Sequence, residues 1–99
     1  KELEVNKATS NDKRSLPDHT LYHYPTCPFC ARVRFALWRH GLTLDTRNIL
    51  VSTEFARELV TGGGVRQVPC LRIDKEDGST TWLYESGDIV AYLKQVAAA

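Results

Sequence analysis

Cys27-Pro28-Phe29-Cys30 sits where a strand-like stretch gives way to a helix-like one, and that junction restricts what the chain can fold into. On its N-terminal side, Thr20-Leu21-Tyr22-His23-Tyr24 has the aromatic content of a short strand and is stopped by Pro25. On its C-terminal side, Phe29, Val33, Ala36 and Leu37 recur at the spacing of an amphipathic helix, which Gly41 ends. Pro28 suits the first helical position, because the N–H it lacks has no partner there in any case. Two thiols are therefore expected at the start of a helix, one turn apart.

The remaining segments continue the alternation. Leu42 to Ile49 reads as a second strand, and Ser52 caps a second helix ending near Thr61. Gly62-Gly63-Gly64 reads as a flexible connector. It follows no strand and precedes no helix, so it fails as a phosphate loop. Val68 to Ile73 is a third strand, Asp77-Gly78 a hairpin turn, and Thr80 to Leu83 a fourth strand. Ile89, Val90, Leu93 and Val96 place a last helix over Ser86 to Val96. The order β-α-β-α-β-β-α, with the thiols at the first strand-to-helix junction, predicts an α/β thioredoxin-like fold, a central mixed four-stranded sheet flanked by helices. Residues 1–19 are polar and weakly periodic and read as a flexible arm.

Composition narrows the function classes. A chain of 99 residues, 42% hydrophobic, makes one small domain with a modest core. Its net charge of +1 comes without a Lys/Arg cluster interleaved with aromatics, so nucleic acid is not an expected partner. No apolar run is long enough to span a bilayer, and no membrane contact is expected within the chain. Three cysteines are too few, and odd in number, for a secreted disulfide framework, which points to a reducing, cytoplasmic setting.

Only a thiolate attacks sulfur, and an unassisted cysteine is mostly protonated at neutral pH. The unpaired N–H groups and positive pole of a helix N-terminus favour the anion of a residue placed there. Cys27 occupies that place, and Cys30 lies one turn further in, so the first is the attacking thiol and the second the resolving one. Arg32 and Arg34 follow, to add positive potential or to face solvent. A structural zinc site needs four ligands, and Cys70, His19, His23 and His40 form no second pair at ligand spacing, so no metal is expected. A purely structural disulfide is disfavoured because so short a loop restrains the unfolded chain little.

Two further elements converge on the thiols. Val68-Pro69 opens a strand where proline forfeits a ladder hydrogen bond, which suggests a cis peptide leaving the Val68 N–H and C=O free to pair with an extended ligand. Glu85-Ser86-Gly87-Asp88 opens the last helix, where N–H groups can hold a carboxylate and the Asp88 carboxylate an ammonium. Cys70 is expected to pack inward as an inert hydrophobe. Trp38 and Trp82 are expected to be packing residues, His23 and His40 surface residues.

C-P-F-C, then Val-Pro, then Gly-Asp at the start of the final helix resembles the glutaredoxin family over residues 20–96. The domain organisation is accordingly an arm over 1–19 and a glutaredoxin-like domain over 20–99. The resemblance implies a glutathione-dependent thiol–disulfide oxidoreductase with Cys27 and Cys30 catalytic. It implies a tripeptide site made by Tyr24, Phe29, Gln67, Val68, Pro69, Glu85, Ser86, Gly87 and Asp88. Glutathione would be a co-substrate, with no tightly bound cofactor, glutathionylated or disulfide-bonded proteins as partners, and a monomeric chain. Tyr24 stands where many members carry a lysine for the glycyl carboxylate, leaving Arg57 or Arg66 as substitutes. Tyr84-Glu85-Ser86 is similar instead to glutathione transferase N-terminal domains. The alternatives are a glutathione-ligated [2Fe–2S] carrier and a transferase-like glutathione-binding module.

Overall fold

The computed structural model describes residues 14–99. Its elements run β1 (Arg14–His23), α1 (Pro28–Arg39), β2 (Leu42–Asn48), α2 (Thr53–Gly63), β3 (Cys70–Asp74), β4 (Thr80–Leu83) and α3 (Ser86–Ala98). The sheet order is β2-β1-β3-β4; β1 and β2 are parallel, and the other neighbouring pairs are antiparallel. This is the expected mixed sheet in the expected element order.

Strand periodicity divides the core between the two faces of the sheet. Leu21, Leu71 and Ile73 pack with Val33, Ala36 and Leu37 of α1 and with Ile89 and Leu93 of α3. Their neighbours Tyr22 and Cys70 point the other way and pack with Leu59 of α2, Ile49, Phe55, Trp82 and Tyr84. Strands β1 and β3 therefore each serve both layers, Leu21 and Leu71 on one side and Tyr22 and Cys70 on the other. Truncating any of the fully buried leucines to alanine would cost about 2–5 kcal/mol.

The first strand begins earlier than the sequence suggests. Part of the expected 1–19 arm is β1: Leu16 is buried, the Arg14 N–H donates to the Gly41 carbonyl at 2.7 Å, and its guanidinium donates to the Val96 carbonyl at 2.7 Å. The pairing with β2 shifts register between Ser15 and Thr20, around Pro17, and that irregularity erased the alternation that marks a strand. Residues 1–13, the rest of the expected arm, lie outside the described residues.

Helix α1 buries Cys30, Val33, Ala36 and Leu37, so the inward stripe begins at Cys30 and not at Phe29, which is 60% exposed. Trp38 is likewise no packing residue: it is 70% exposed, its ring 5.7 Å from that of exposed Phe35. Trp82 does pack, stacked on Tyr22 at 5.8 Å. Tyr22 donates to the Glu58 carboxylate at 3.0 Å, fastening α2 to the sheet from beneath.

The triple glycine is not a loose connector. Gly62 and Gly63 form the last turn of α2, and only Gly64, left-handed at φ 96°, caps it. A side chain on Gly62 would run into the Trp82 ring, and one on Gly63 into the Tyr84 hydroxyl. These glycines let α2 end close against the aromatic residues of β4 and just beyond it. We therefore expect Gly62→Ala to lower stability by about 1–3 kcal/mol through overpacking. Gly87→Ala, in α3 where the new methyl meets open space, should leave stability unchanged or raise it by about 0.5 kcal/mol. Urea unfolding of the two variants checks the contrast in sign.

Candidate active site

The end of β1 leads through a turn, in which the Cys27 N–H donates to the Tyr24 carbonyl at 3.2 Å, into the start of α1. Cys27 is the N-cap. Its Sγ accepts from the Cys30 N–H at 3.4 Å, a capping role that an oxygen more often fills. Pro28 follows in the first turn, and no acidic residue lies there to neutralise the helix pole.

Both thiols are reduced and buried, with Cys27 5% and Cys30 0% exposed, so exposure alone separates them little. Electrostatics separates them more. Burial pushes the Cys27 thiol up, but the Cys30 N–H, the Cys30 thiol, the Phe29 N–H and the Arg34 charge together outweigh it, and the net direction is down. Cys30 is pushed up to about 11, chiefly by burial and also by its neighbour Cys27. Arg34 is held in place by contacts to His23 Nδ1 at 3.4 Å and to the Pro25 carbonyl at 3.5 Å. Burial raises Cys70 to about 12, in keeping with an inert core residue. His23 is half-buried against Arg34, and His40 is the C-cap of α1. Among the described residues no three His, Cys, Asp or Glu side chains group as a metal site requires.

Opposite the thiols lies the loop between α2 and β3. The Val68–Pro69 peptide bond is cis, as the sequence suggested. The Val68 carbonyl lies 4.0 Å from Cys27 Sγ, and the β1–β3 ladder starts only at Cys70, so Val68 stands outside it. Tyr84 holds this loop: its hydroxyl accepts from the Val65 N–H at 3.4 Å and donates to the Val65 carbonyl at 3.0 Å.

Beside the thiols a groove of about 180 Å³ is lined by Phe29, Gln67, Val68, Pro69, Tyr84, Glu85 and Ser86. Six of these seven were candidates from sequence. Tyr84 was not, although its place directly before Glu85-Ser86, at the strand-to-helix passage, was the available signal. The N-cap of α3 is Glu85, whose side chain makes no capping hydrogen bond; Ser86 is already helical. Gly87 and Asp88 follow in the first turn but are not among the groove residues, and Tyr24 packs instead against the core layer of Tyr22 and Leu59. Neither expected substitute for the family lysine lines the groove: Arg57 faces a separate cavity with Glu54, Glu58 and Thr61, and Arg66 is an exposed loop residue.

The chain is similar to several known proteins. A zebrafish (Danio rerio) protein described as prostaglandin E synthase 2 is 35% identical over 75 residues, covering 76% of this chain and 18% of its own. Maleylacetoacetate isomerase from Anaeromyxobacter dehalogenans 2CP-1, solved with glutathione in its active site, superposes with a TM-score of 0.60 at 29% identity, over 81% of this chain and 38% of that one. Glutathione transferase Omega 1C from Trametes versicolor shares the fold with a TM-score of 0.66 at 21% identity, over 81% and 37%. The chain thus spans less than two-fifths of the length of these relatives. The glutaredoxin family profile matches residues 20–77, which run from the middle of β1 through both thiols and the Val68–Pro69 loop, and the chain belongs to the glutaredoxin family.

Proposed function

We propose that this chain is a glutathione-dependent thiol–disulfide oxidoreductase with Cys27 as nucleophile. The observation that carries the reading is the place of Cys27 Sγ at the N-cap of α1, where it accepts from the Cys30 N–H and lies 4.0 Å from the Val68 carbonyl that precedes a cis proline. That placement draws Cys27 down while burial holds Cys30 up. An attacking sulfur must be ionised, while a resolving sulfur is needed only once the first is occupied.

In the proposed cycle the Cys27 thiolate attacks the glutathionyl sulfur of a protein–glutathione disulfide. The S–S bond breaks, the protein sulfur leaves as thiolate and takes a proton from solvent, and glutathione stays on Cys27. A glutathione thiolate then attacks that adduct at the glutathionyl sulfur, giving oxidised glutathione and regenerating the Cys27 thiolate. Alternatively Cys30, deprotonated as it attacks Cys27, expels glutathione and leaves a Cys27–Cys30 disulfide, which two glutathione molecules reduce. The Cys30 N–H that stabilises the starting thiolate also stabilises Cys27 whenever it is the leaving sulfur.

The groove supplies the tripeptide site. Val68 offers its main chain outside the ladder to the cysteinyl residue, as in strand addition. Gln67 and Phe29 border the same groove, and Glu85, uncommitted at the head of α3, accepts the γ-glutamyl ammonium in place of Asp88. Gly87 and Asp88 contribute the N–H groups and negative charge of the first turn, and Tyr24 contributes through the turn that carries Cys27. Likeness to glutathione-bound solved structures supports glutathione as the ligand. Similar chains more than twice as long favour a second reading, in which this domain is the glutathione-binding part of a transferase-like protein.

A mixed-disulfide reductase assay with glutathione separates the two. Cys27→Ser is expected to fall to the uncatalysed background and Cys30→Ser to keep much of the wild-type rate, since the route through free glutathione does not use Cys30. Full activity in Cys27→Ser would refute the assigned roles, and conjugation of an electrophile that survives Cys27→Ser would favour the transferase reading.

A further inference from the structure

Arg34 acts on Cys27 only while its charge stays near the sulfur, and an untethered arginine side chain would extend into solvent, where water and salt screen it. Two contacts hold it: its Nη1 faces His23 Nδ1 at 3.4 Å, and its Nη2 donates to the Pro25 carbonyl at 3.5 Å. We propose that His23 is a positioning residue for the nucleophile, its Nδ1 fixing the Arg34 guanidinium at the turn that leads into Cys27; the inference rests on the reading of Cys27 as the attacking thiol.

The contact depends on the state of the ring. A guanidinium can only donate, so Nδ1 must be the accepting, unprotonated nitrogen, and the proton of the neutral ring sits on Nε2. The ring itself is placed by the sheet. His23 is the last residue of β1, paired with Asn48 of β2, and its carbonyl accepts from the Ile49 N–H at 3.0 Å. The ring and the Pro25 carbonyl engage different terminal nitrogens of one rigid plane, so the fork is fixed at two points and not at one. Arg32, two residues earlier on α1, turns instead to Ser86 Oγ at 3.4 Å, which leaves Arg34 as the arginine held at the thiols.

The charges around the ring give the contact a direction in pH. From α1 the charged group against His23 is Arg34, and Cys30, one turn before it, is neutral at neutral pH. On β2, Asn48 carries no charge and Arg47 is engaged with Asp45 and Glu58. A protonated ring would set a second N–H and a second positive charge against the guanidinium. The contact therefore holds above the ionisation of His23 and is lost as the pH falls through it. Burial and Arg34 both push His23 below its ordinary 6.5, so the contact is intact at neutral pH, where the thiolate is needed.

Thiolate absorbance at a fixed pH just below the Cys27 midpoint reads the effect. His23→Leu and Arg34→Met should each lower the Cys27 thiolate fraction about threefold, the effect of one partly screened charge on a neighbouring ionisation. The double variant should fall no further than Arg34→Met alone, because the ring acts only through the guanidinium. His23→Asn, whose side-chain oxygen can accept in place of Nδ1, should recover most of the loss. Nitrogen chemical shifts of the His23 ring in the wild-type protein at neutral pH should place the proton on Nε2, a readout that needs no variant to fold. An unchanged thiolate fraction in His23→Leu, losses that add in the double variant, or a proton on Nδ1 would overturn the inference alone. An ordinary Cys27 ionisation in the wild-type protein would overturn the assignment of the nucleophile and this inference with it.

Discussion

A single contact organises the molecule: the Cys30 N–H pointing at Cys27 Sγ across the first turn of α1. A sulfur atom in the N-cap position meets helix donors that water or an oxygen would otherwise satisfy, and the meeting is favourable in proportion to the negative charge the sulfur carries. Burial opposes that charge, and Cys27 is nearly enclosed. The balance falls toward the thiolate because several dipoles and the Arg34 cation act on one atom, while Cys30 has burial against it and a neighbouring sulfur whose charge discourages a second ionisation.

The rest of the fold holds that contact beside the groove. The core beneath α1 and α3 fixes the helix that carries both thiols, and the layer beneath α2 fixes the loop that faces them. Tyr84 links the two, with its hydroxyl on the Val65 backbone and its ring against the end of α2, where Gly63 leaves room for it. Preorganisation of this kind lets binding energy go into the reaction instead of into ordering a loop.

Much of this could be read from the chain because the informative residues act locally. Cys27-Pro28 marks a helix start by its own chemistry, Ser52 does so for α2, and Val68-Pro69 marks a departure from a regular strand. The misreadings arise where tertiary packing decides. Pro17 breaks the pattern of β1 without ending it, so Arg14 to His19 looked like part of an arm. Phe29 has the spacing of a core residue, yet the inward face of α1 starts one position later, and the ring is released to the groove. Gly62 and Gly63 have poor helix propensity but are in helix because Trp82 and Tyr84 lie against them, a relation between distant segments that no local window contains. Tyr24, Gly87 and Asp88 sit beside the groove in sequence but do not line it, since neighbours along a turn or helix face different directions.

Cys27 should be the most acidic thiol of the three. Following the ultraviolet absorbance of thiolate in the reduced protein across a pH titration measures it directly, because the other two thiols are displaced upward, to about 11 and about 12. One sulfur is expected to ionise below the ~8.5 of an unperturbed cysteine, with that step lost in Cys27→Ser and the remaining two steps far to the alkaline side. A first ionisation at or above the ordinary value, or a low step that persists without Cys27, would contradict it.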